Sequence, residues 1–120
     1  MGYLSGFIFA KGGEDMAWIY LIIAGIFEVI WAIGLKYSHG FTKLIPSIIT
    51  LGGMLVSFYL LSLATKSLPM GTAYAVWTGI GALGTVILGI FLFNEPMNML
   101  RVTFLCLILV GILGLKLTSA

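Results

Sequence analysis

The chain contains few charged residues. Only 8% of its 120 residues are Asp, Glu, Lys or Arg, whereas a soluble domain has about a quarter. Hydrophobic residues make up 61% of the sequence, and the mean hydropathy is +1.18. This composition excludes a soluble globular domain and predicts a polytopic membrane protein. The net charge of +2 is too small and too scattered for a nucleic-acid-binding surface.

Cysteine and histidine are almost missing. The one cysteine, Cys106, cannot form an intrachain disulfide. The one histidine, His39, lies in a predicted loop, and a metal site would need several ligands of this kind. No nucleophile has a base beside it for hydrolytic chemistry. The sequence therefore predicts a protein that is not an enzyme and that uses neither a metal nor a cofactor.

Long apolar runs are abundant. A bilayer core about 30 Å thick requires about 20 apolar residues in a helix. Four runs satisfy this requirement, and short segments with turn residues separate them. The runs are continuous rather than alternating, which excludes the pattern of a β-barrel. The predicted fold is an all-α integral membrane protein with four transmembrane helices, at about Ala17–Lys36, Leu44–Lys66, Pro69–Phe93 and Met99–Leu117.

The segment 1–15 differs from the rest of the chain. It lacks the basic start and the cleavage pattern of a signal peptide, and Met16 resembles a native start because the first span follows it directly. We therefore expect an N-terminal extension over residues 1–15, either added to the native chain or disordered. Residues 16–120 form the predicted four-helix transmembrane domain.

Positive charges are nearly balanced between the two sides of the membrane. With four spans, Lys11, Lys66 and Lys116 share one side, and three cations in the first and third loops share the other: Lys36, Lys43 and Arg101. The positive-inside rule then gives almost no preferred orientation. A small protein without a strong signal would show this balance. A chain that inserts both ways and pairs with an inverted copy of itself would also show it, and this second interpretation is favoured.

Glu28 stands near the middle of the first span. A mid-membrane carboxylate costs about 2.5–3.5 kcal/mol on insertion scales, so it must face protein or a watery cavity. At about 100° per residue, Glu28 shares a face with the small residues Ala24, Gly25 and Ala32, and Trp31 follows one turn along. This face is the least lipid-like one of the helix. A structural hydrogen bond is the alternative to a functional role for Glu28.

The second and third spans carry matching stripes. In the second span, Thr50, Gly53, Ser57 and Ala64 recur at helical spacing, and in the third Gly71, Tyr74, Trp77 and Gly81 do so. One site can therefore collect five side chains for substrate and proton binding: Glu28, Trp31, Ser57, Tyr74 and Trp77.

Each of these side chains also has a purely structural interpretation. Ser57 can bond back to its own helix, and the tryptophans can be packing residues or part of an interfacial belt. Tyr74 is expected to be buried, so that its hydroxyl needs a partner. Trp18 and Tyr20, near the start of the first span, fit an aromatic belt.

Several glycines are further candidates, although each is also compatible with simple packing. A hinge or a portal between helices is predicted at Gly25, Gly52, Gly53, Gly79 and Gly81. Gly111 and Gly114 lie in the fourth span, which has little polar chemistry and is predicted to pack a dimer.

A single carboxylate faced by aromatic rings suits a cation, because ring faces attract cations by about 0.5–2 kcal/mol each. Protonated Glu28 is neutral and inexpensive to bury, whereas the ionised form requires a cation. One group can thus bind a proton or a cation, but not both. That competition predicts proton-coupled exchange if access alternates between the two sides. Two antiparallel chains would supply two glutamates. Their inward-open and outward-open states could be the same structure seen from opposite sides of the membrane.

The chain resembles the small multidrug resistance family over residues 16–120. The resemblance rests on "AGIFEVIW" around Glu28, "GFTKLIPS" before the second span, "LPMGTAYAVWTGIGALG" in the third, and the apolar fourth span. Within the family, Trp31 and the "WTGIGALGT" segment are similar to the guanidinium-exporter subtype, since the multidrug subtype has glycine in place of the tryptophan.

The resemblance implies an antiparallel, dual-topology homodimer in the cell inner membrane that exports guanidinium and small guanidinyl cations against protons. Glu28 would be the shared site, lined by Trp31, Ser57, Tyr74 and Trp77. The alternatives are a multidrug exporter of quaternary ammonium or lipophilic cations, which would need a roomier pocket, and a non-transporting membrane subunit or passive pore.

Overall fold

The computed structural model describes the backbone of residues 3–118 and the side chains of residues 15–118. It contains four helices in this part of the chain: α1 (Tyr3–Tyr37), α2 (Leu44–Ala64), α3 (Met70–Phe93) and α4 (Met99–Thr118). Each has a stretch that is long and apolar enough to cross a membrane, and in α1 this stretch is Asp15–Tyr37. The prediction of four helical spans is confirmed. Because α1 already begins at Tyr3, the helix also includes most of the segment predicted to be an extension.

The helix ends follow from local chemistry. Gly40 has a φ of 73° in the reversal after α1, a conformation that glycine adopts without steric cost. At the start of α4, Asn98 Oδ1 accepts a hydrogen bond of 2.9 Å from the Arg101 N–H, as an N-cap residue does. α2 ends at Ala64, two residues before the predicted end, because the N–H groups of Lys66 and Ser67 bond to carbonyls in a tight turn.

The helix α1 is the centre of the bundle, packed against both α2 and α3, while α4 lies along α3. The stripe predicted on α2 is buried in full, since Thr50, Gly53, Ser57 and Ala64 are the buried residues of that helix. Small residues at these positions bring α1 and α2 close together, which explains why a hydroxyl at mid-membrane depth is shielded from lipid.

Trp18 does not belong to an aromatic belt. It is only 6% exposed and lies in a cluster with Ala17, Ala64 and Ala73, whose small side chains leave room for the indole. Lys116 of α4 places its Nζ 5.1 Å from the centre of the Trp18 ring. The prediction of a belt position was therefore wrong for Trp18, because burial against small residues outweighed the preference of indoles for the interface.

The helix α4 is peripheral. It has no buried residue, whereas α1, α2 and α3 each have several over the part of the chain that the structure describes. Its contact with α3 includes the approach of Ile108 and Ile112 to Gly79. Apolar surface of this kind faces either lipid or another protein chain.

Candidate functional site

The Glu28 side chain extends towards α3 from the middle part of the membrane-spanning stretch of α1. Its carboxyl group lies directly against Gly81, so that a Cβ atom at position 81 would collide with Glu28 Oε1 and Cδ. Gly81 is itself buried. Only glycine leaves the space that the carboxyl group occupies, and the α1–α3 interface is thus shaped around this one polar side chain.

Ser57 links three helices by hydrogen bonds. Its hydroxyl donates to the Ala24 carbonyl of α1 over 2.7 Å, and it accepts a bond of 2.9 Å from Trp77 Nε1 of α3. Ser57 is fully buried. The alternative in which Ser57 bonds back to its own helix is excluded by this geometry, because both partners lie on other helices. One lone pair of the hydroxyl is left to accept a further hydrogen bond.

An aromatic row adjoins this network. The Tyr74 and Trp77 ring centres are 5.6 Å apart, those of Trp77 and Phe58 are 5.7 Å apart, and those of Phe58 and Trp31 are 6.4 Å apart. The structure therefore joins three predicted aromatic residues into one wall. Phe58 completes the wall and was missed, because one more phenylalanine in an apolar helix gives no sequence signal. Its position next to Ser57 was the available clue.

Tyr74 differs from its expected environment. We expected a buried hydroxyl, but the side chain is 53% exposed in the single chain. The Trp77 ring lies beside the phenol, and the rest of the Tyr74 side chain is open to its surroundings. A role for Tyr74 in the site therefore requires that a ligand or a second chain approach its exposed side.

Three buried side-chain polar atoms of α1 have no hydrogen-bond partner among the described residues: Trp18 Nε1, Glu28 Oε1 and Trp31 Nε1. The last two lie close together along the helix. An unpaired buried polar group costs about 1–3 kcal/mol, and such groups in native structures call for an explanation. An acceptor and a donor one helical turn apart can be satisfied by a polar ligand or by each other after a side-chain rotation.

The glycines of the predicted hinge and portal lie mostly at close helix contacts. A Cβ at Gly25 would meet Ile80, one at Gly53 would meet Trp31, and one at Gly79 would meet Ile112. Gly52 is the exception, because a Cβ there would meet nothing within 4 Å. In this conformation Gly25, Gly53 and Gly79 each pack directly against a neighbouring helix. Hinge and portal motion at these glycines stays a prediction.

Gly111 and Gly114 have open space around them. A Cβ at either position would meet nothing within 4 Å, and both residues are exposed. They leave a shallow face on α4 that the single chain does not fill. Packing of a second chain at this face stays a prediction.

The arrangement as a whole offers a carboxyl acceptor, a hydroxyl with a free lone pair and a wall of ring faces. These groups attract a cation that can donate hydrogen bonds. No group of three His, Cys, Asp or Glu side chains in the described part of the chain could hold a metal ion. An organic cation is therefore the ligand class that matches these groups best.

Comparison with known proteins gives consistent results. The family described as Small Multidrug Resistance protein matches residues 16–108. A protein of Yersinia pestis named guanidinium exporter is 67% identical over 104 residues, which cover 87% of this chain and 100% of that protein. Proteins with the same name from Escherichia coli strain K12 and from Proteus vulgaris are 60% and 59% identical over 104 residues, again 87% of this chain. They cover 99% and 100% of those two proteins.

The family match starts at Met16, the residue directly before the first predicted span. Together with four helices of membrane-spanning length, it indicates a multi-pass protein of the bacterial inner membrane. The chain belongs to the small multidrug resistance family of transporters.

Proposed function

We propose that the protein exports guanidinium and small guanidinyl cations in exchange for protons, and that the cation and the proton compete for Glu28. The observation that carries this proposal is the buried Glu28 Oε1, which has no hydrogen-bond partner in the described structure. The relatives named guanidinium exporter support the choice of substrate.

The chemistry of guanidinium fits the groups present. It is a planar ion with forked N–H donors, and a carboxylate can accept two parallel hydrogen bonds from it. Trp31 lies one helical turn from Glu28, and Trp77 lies one turn from Gly81, which the carboxyl group contacts. Their rings can supply faces for the cation, and the free lone pair of Ser57 can accept one more bond. Because Ser57 is held by Ala24 and Trp77, it is oriented before the cation arrives. Pre-orientation lowers the entropy lost on binding.

Exchange follows from the cost of an unpaired charge in the membrane. Ionised Glu28 without a cation costs about 2.5–3.5 kcal/mol or more, so the empty, ionised site is disfavoured during the passage between the two sides. The loaded forms are the neutral carboxylic acid and the carboxylate paired with guanidinium. If only these two forms change conformation, inward movement of protons is coupled to outward movement of the cation.

We further place the transport pathway between two antiparallel copies of the chain. One chain supplies one such glutamate and a half-open aromatic wall, in which Tyr74 is 53% exposed. A second copy would close this wall. The balanced cations of the loops and termini favour insertion in both orientations, and α4, which buries nothing within the described chain, is available for contact between copies.

The test is exchange in sealed liposomes that contain the purified protein and a trapped pH indicator. A guanidinium gradient should drive protons the other way in the wild type, while Glu28→Gln should be silent. Glu95→Gln is the matched control, because Glu95 lies in the loop after α3 and pairs with Lys36. It should exchange at nearly the wild-type rate.

The rival functions give different results in the same assay. Proton movement with a quaternary ammonium ion but not with guanidinium would replace the proposal with multidrug export. Guanidinium flux without proton movement would indicate a passive pore. No flux of either cation would indicate a non-transporting subunit.

The antiparallel arrangement has its own test. A single cysteine placed in the first loop, in a Cys106→Ser background, should react with an impermeant thiol reagent from both sides of the membrane in about equal amounts. Labelling from one side alone would exclude the antiparallel homodimer while leaving the exchange proposal standing.

A further inference from the structure

The outer groove between α3 and α4 has a feature that the transport site does not use. The groove has a volume of about 180 Å³ and is lined by Val86 of α3 and by four residues of α4: Arg101, Phe104, Leu105 and Ile108. The groove is therefore apolar except for one cationic side chain.

The four α4 residues form one helical face. At about 100° per residue, positions 101, 104, 105 and 108 fall within an arc of about 100°. Arg101 lies in the first turn of α4, which begins at Met99, and the apolar members follow it in the direction of the membrane interior. A charged group is thus at the headgroup level, and an apolar track runs inward from it.

The Arg101 charge is not neutralised within the described chain. Lys36 Nζ and Glu95 Oε2, 3.5 Å apart, form the ion pair at this end of the bundle, and no described carboxylate pairs with Arg101. Its backbone N–H is bonded to Asn98, which fixes the start of the helix and leaves the guanidinium group available. A guanidinium group forms forked hydrogen bonds with phosphate oxygens.

The groove is separate from the cation site, because Glu28 lies on the other side of α3, against Gly81. It borders the glycine face of α4. On the same helical wheel Gly111 lies about 20° from Phe104, whereas Gly114 lies about 80° from it. A ligand in the groove would therefore leave the cation site free and would lie beside the glycine face of α4.

We infer that the α3–α4 groove binds an anionic phospholipid, with the phosphate group at Arg101 and an acyl chain along Phe104, Leu105 and Ile108. Charge complementarity selects an anionic headgroup, since basic pockets between transmembrane helices bind such lipids. The apolar track selects a lipid over a free phosphate ion, because a small anion would leave that surface uncovered. The inference does not depend on the transported substrate.

Native mass spectrometry of the detergent-solubilised protein tests the inference with phosphatidylglycerol and with phosphatidylcholine of the same acyl chains. The wild type should bind phosphatidylglycerol at least about fivefold more tightly, as expected for one cation near an anionic headgroup. Arg101→Gln should remove this preference. Lys43→Gln is the matched control, because Lys43 is an exposed cation at the same end, before α2, and it should keep the preference.

A second pair of variants tests the apolar track. Phe104→Ala should weaken the binding of phosphatidylglycerol several-fold, whereas Leu113→Ala, at an exposed position on another face, should leave it unchanged. Arg101→Lys keeps the charge and should retain most of the preference. These variants keep the inference testable if Arg101→Gln does not fold.

Four results would overturn the inference. They are equal binding of the two lipids by the wild type, equal losses in Arg101→Gln and Lys43→Gln, no effect of Phe104→Ala, and displacement of the lipid by glycerol 3-phosphate at equal concentration. A fall in the dimer fraction of Arg101→Gln in phosphatidylcholine alone would also overturn it, because Arg101 would then serve a second copy of the chain.

Discussion

The bundle of α1, α2 and α3 and the peripheral helix α4 are equally apolar in sequence but differ in what they bury. The three-helix bundle encloses a carboxyl group, the hydroxyl groups of Thr50 and Ser57 and two indoles, with hydrogen bonds from Ser57 to α1 and α3. The helix α4 encloses nothing in the described part of the chain. Hydropathy therefore indicates that a helix lies in the membrane, whereas small residues and rare polar groups indicate which of its faces forms a functional site. We assign binding to the bundle and assembly to α4.

The largest expected effect is at Glu28. Glu28→Gln keeps the size of the side chain but removes both the charge and the proton, so guanidinium binding should fall below detection in calorimetry. Glu95→Gln should bind normally, because an exposed ion pair such as Lys36–Glu95 contributes at most about 1 kcal/mol. Equal losses of guanidinium binding in both variants would show that the carboxyl group inside the bundle is no more important for binding than the one in the loop after α3.

The next effect is at Gly81, which contacts the carboxyl group of Glu28. Gly81→Ala would push Glu28 from its position, and the exchange rate should fall at least about tenfold, since small misplacements of a reacting group are costly. Gly71→Ala is the control, because a Cβ there meets nothing within 4 Å. Unchanged exchange in Gly81→Ala would show that the position of Glu28 seen here is not the working one.

Ser57→Ala should have an intermediate effect. It leaves the buried Trp77 N–H without its acceptor, at a cost of about 1–3 kcal/mol, and guanidinium affinity should fall about five- to tenfold. Ser62→Ala provides the comparison, because Ser62 is exposed and donates only to Tyr59 O of its own helix, over 2.6 Å. If the two variants bind guanidinium equally, the three-helix hydrogen-bond network does not orient the site.

The smallest effect is expected on α4. Gly111→Ala and Gly114→Ala should weaken association of the chains a few-fold, as measured by the dimer fraction at decreasing protein-to-lipid ratio, while each remaining dimer binds guanidinium as the wild type does. Gly52→Ala, at another open position, should leave the dimer fraction unchanged. A loss of guanidinium binding without a loss of dimer would show that α4 takes part in cation binding.

Much of the fold could be predicted because bilayer thickness fixes helix length and because turn residues mark the loops. The Gly40 reversal, the Asn98 cap and the buried stripe around Ser57 all follow from local rules. The Ser57 bonds to Ala24 and Trp77 could not be predicted, since they depend on how three helices are rotated relative to one another.

The inclusion of Phe58 in the aromatic wall and the burial of Trp18 were hidden for a similar reason. In an apolar helix every face is hydrophobic, so that periodicity does not distinguish a packed aromatic side chain from one that faces lipid. Glu28 and Gly81 were both selected from the sequence, but their direct contact is tertiary information.

The most direct test of competition at Glu28 is proton release when guanidinium binds to the purified protein in weakly buffered detergent solution. Where Glu28 is partly protonated, guanidinium should displace protons into the solution, and the number released per cation should decrease as the pH rises. The apparent affinity should fall as the pH is lowered, because the protonated site cannot pair with the cation. Glu28→Gln should release none. Binding of guanidinium by the wild type without proton release at any pH at which the protein stays folded would contradict the account.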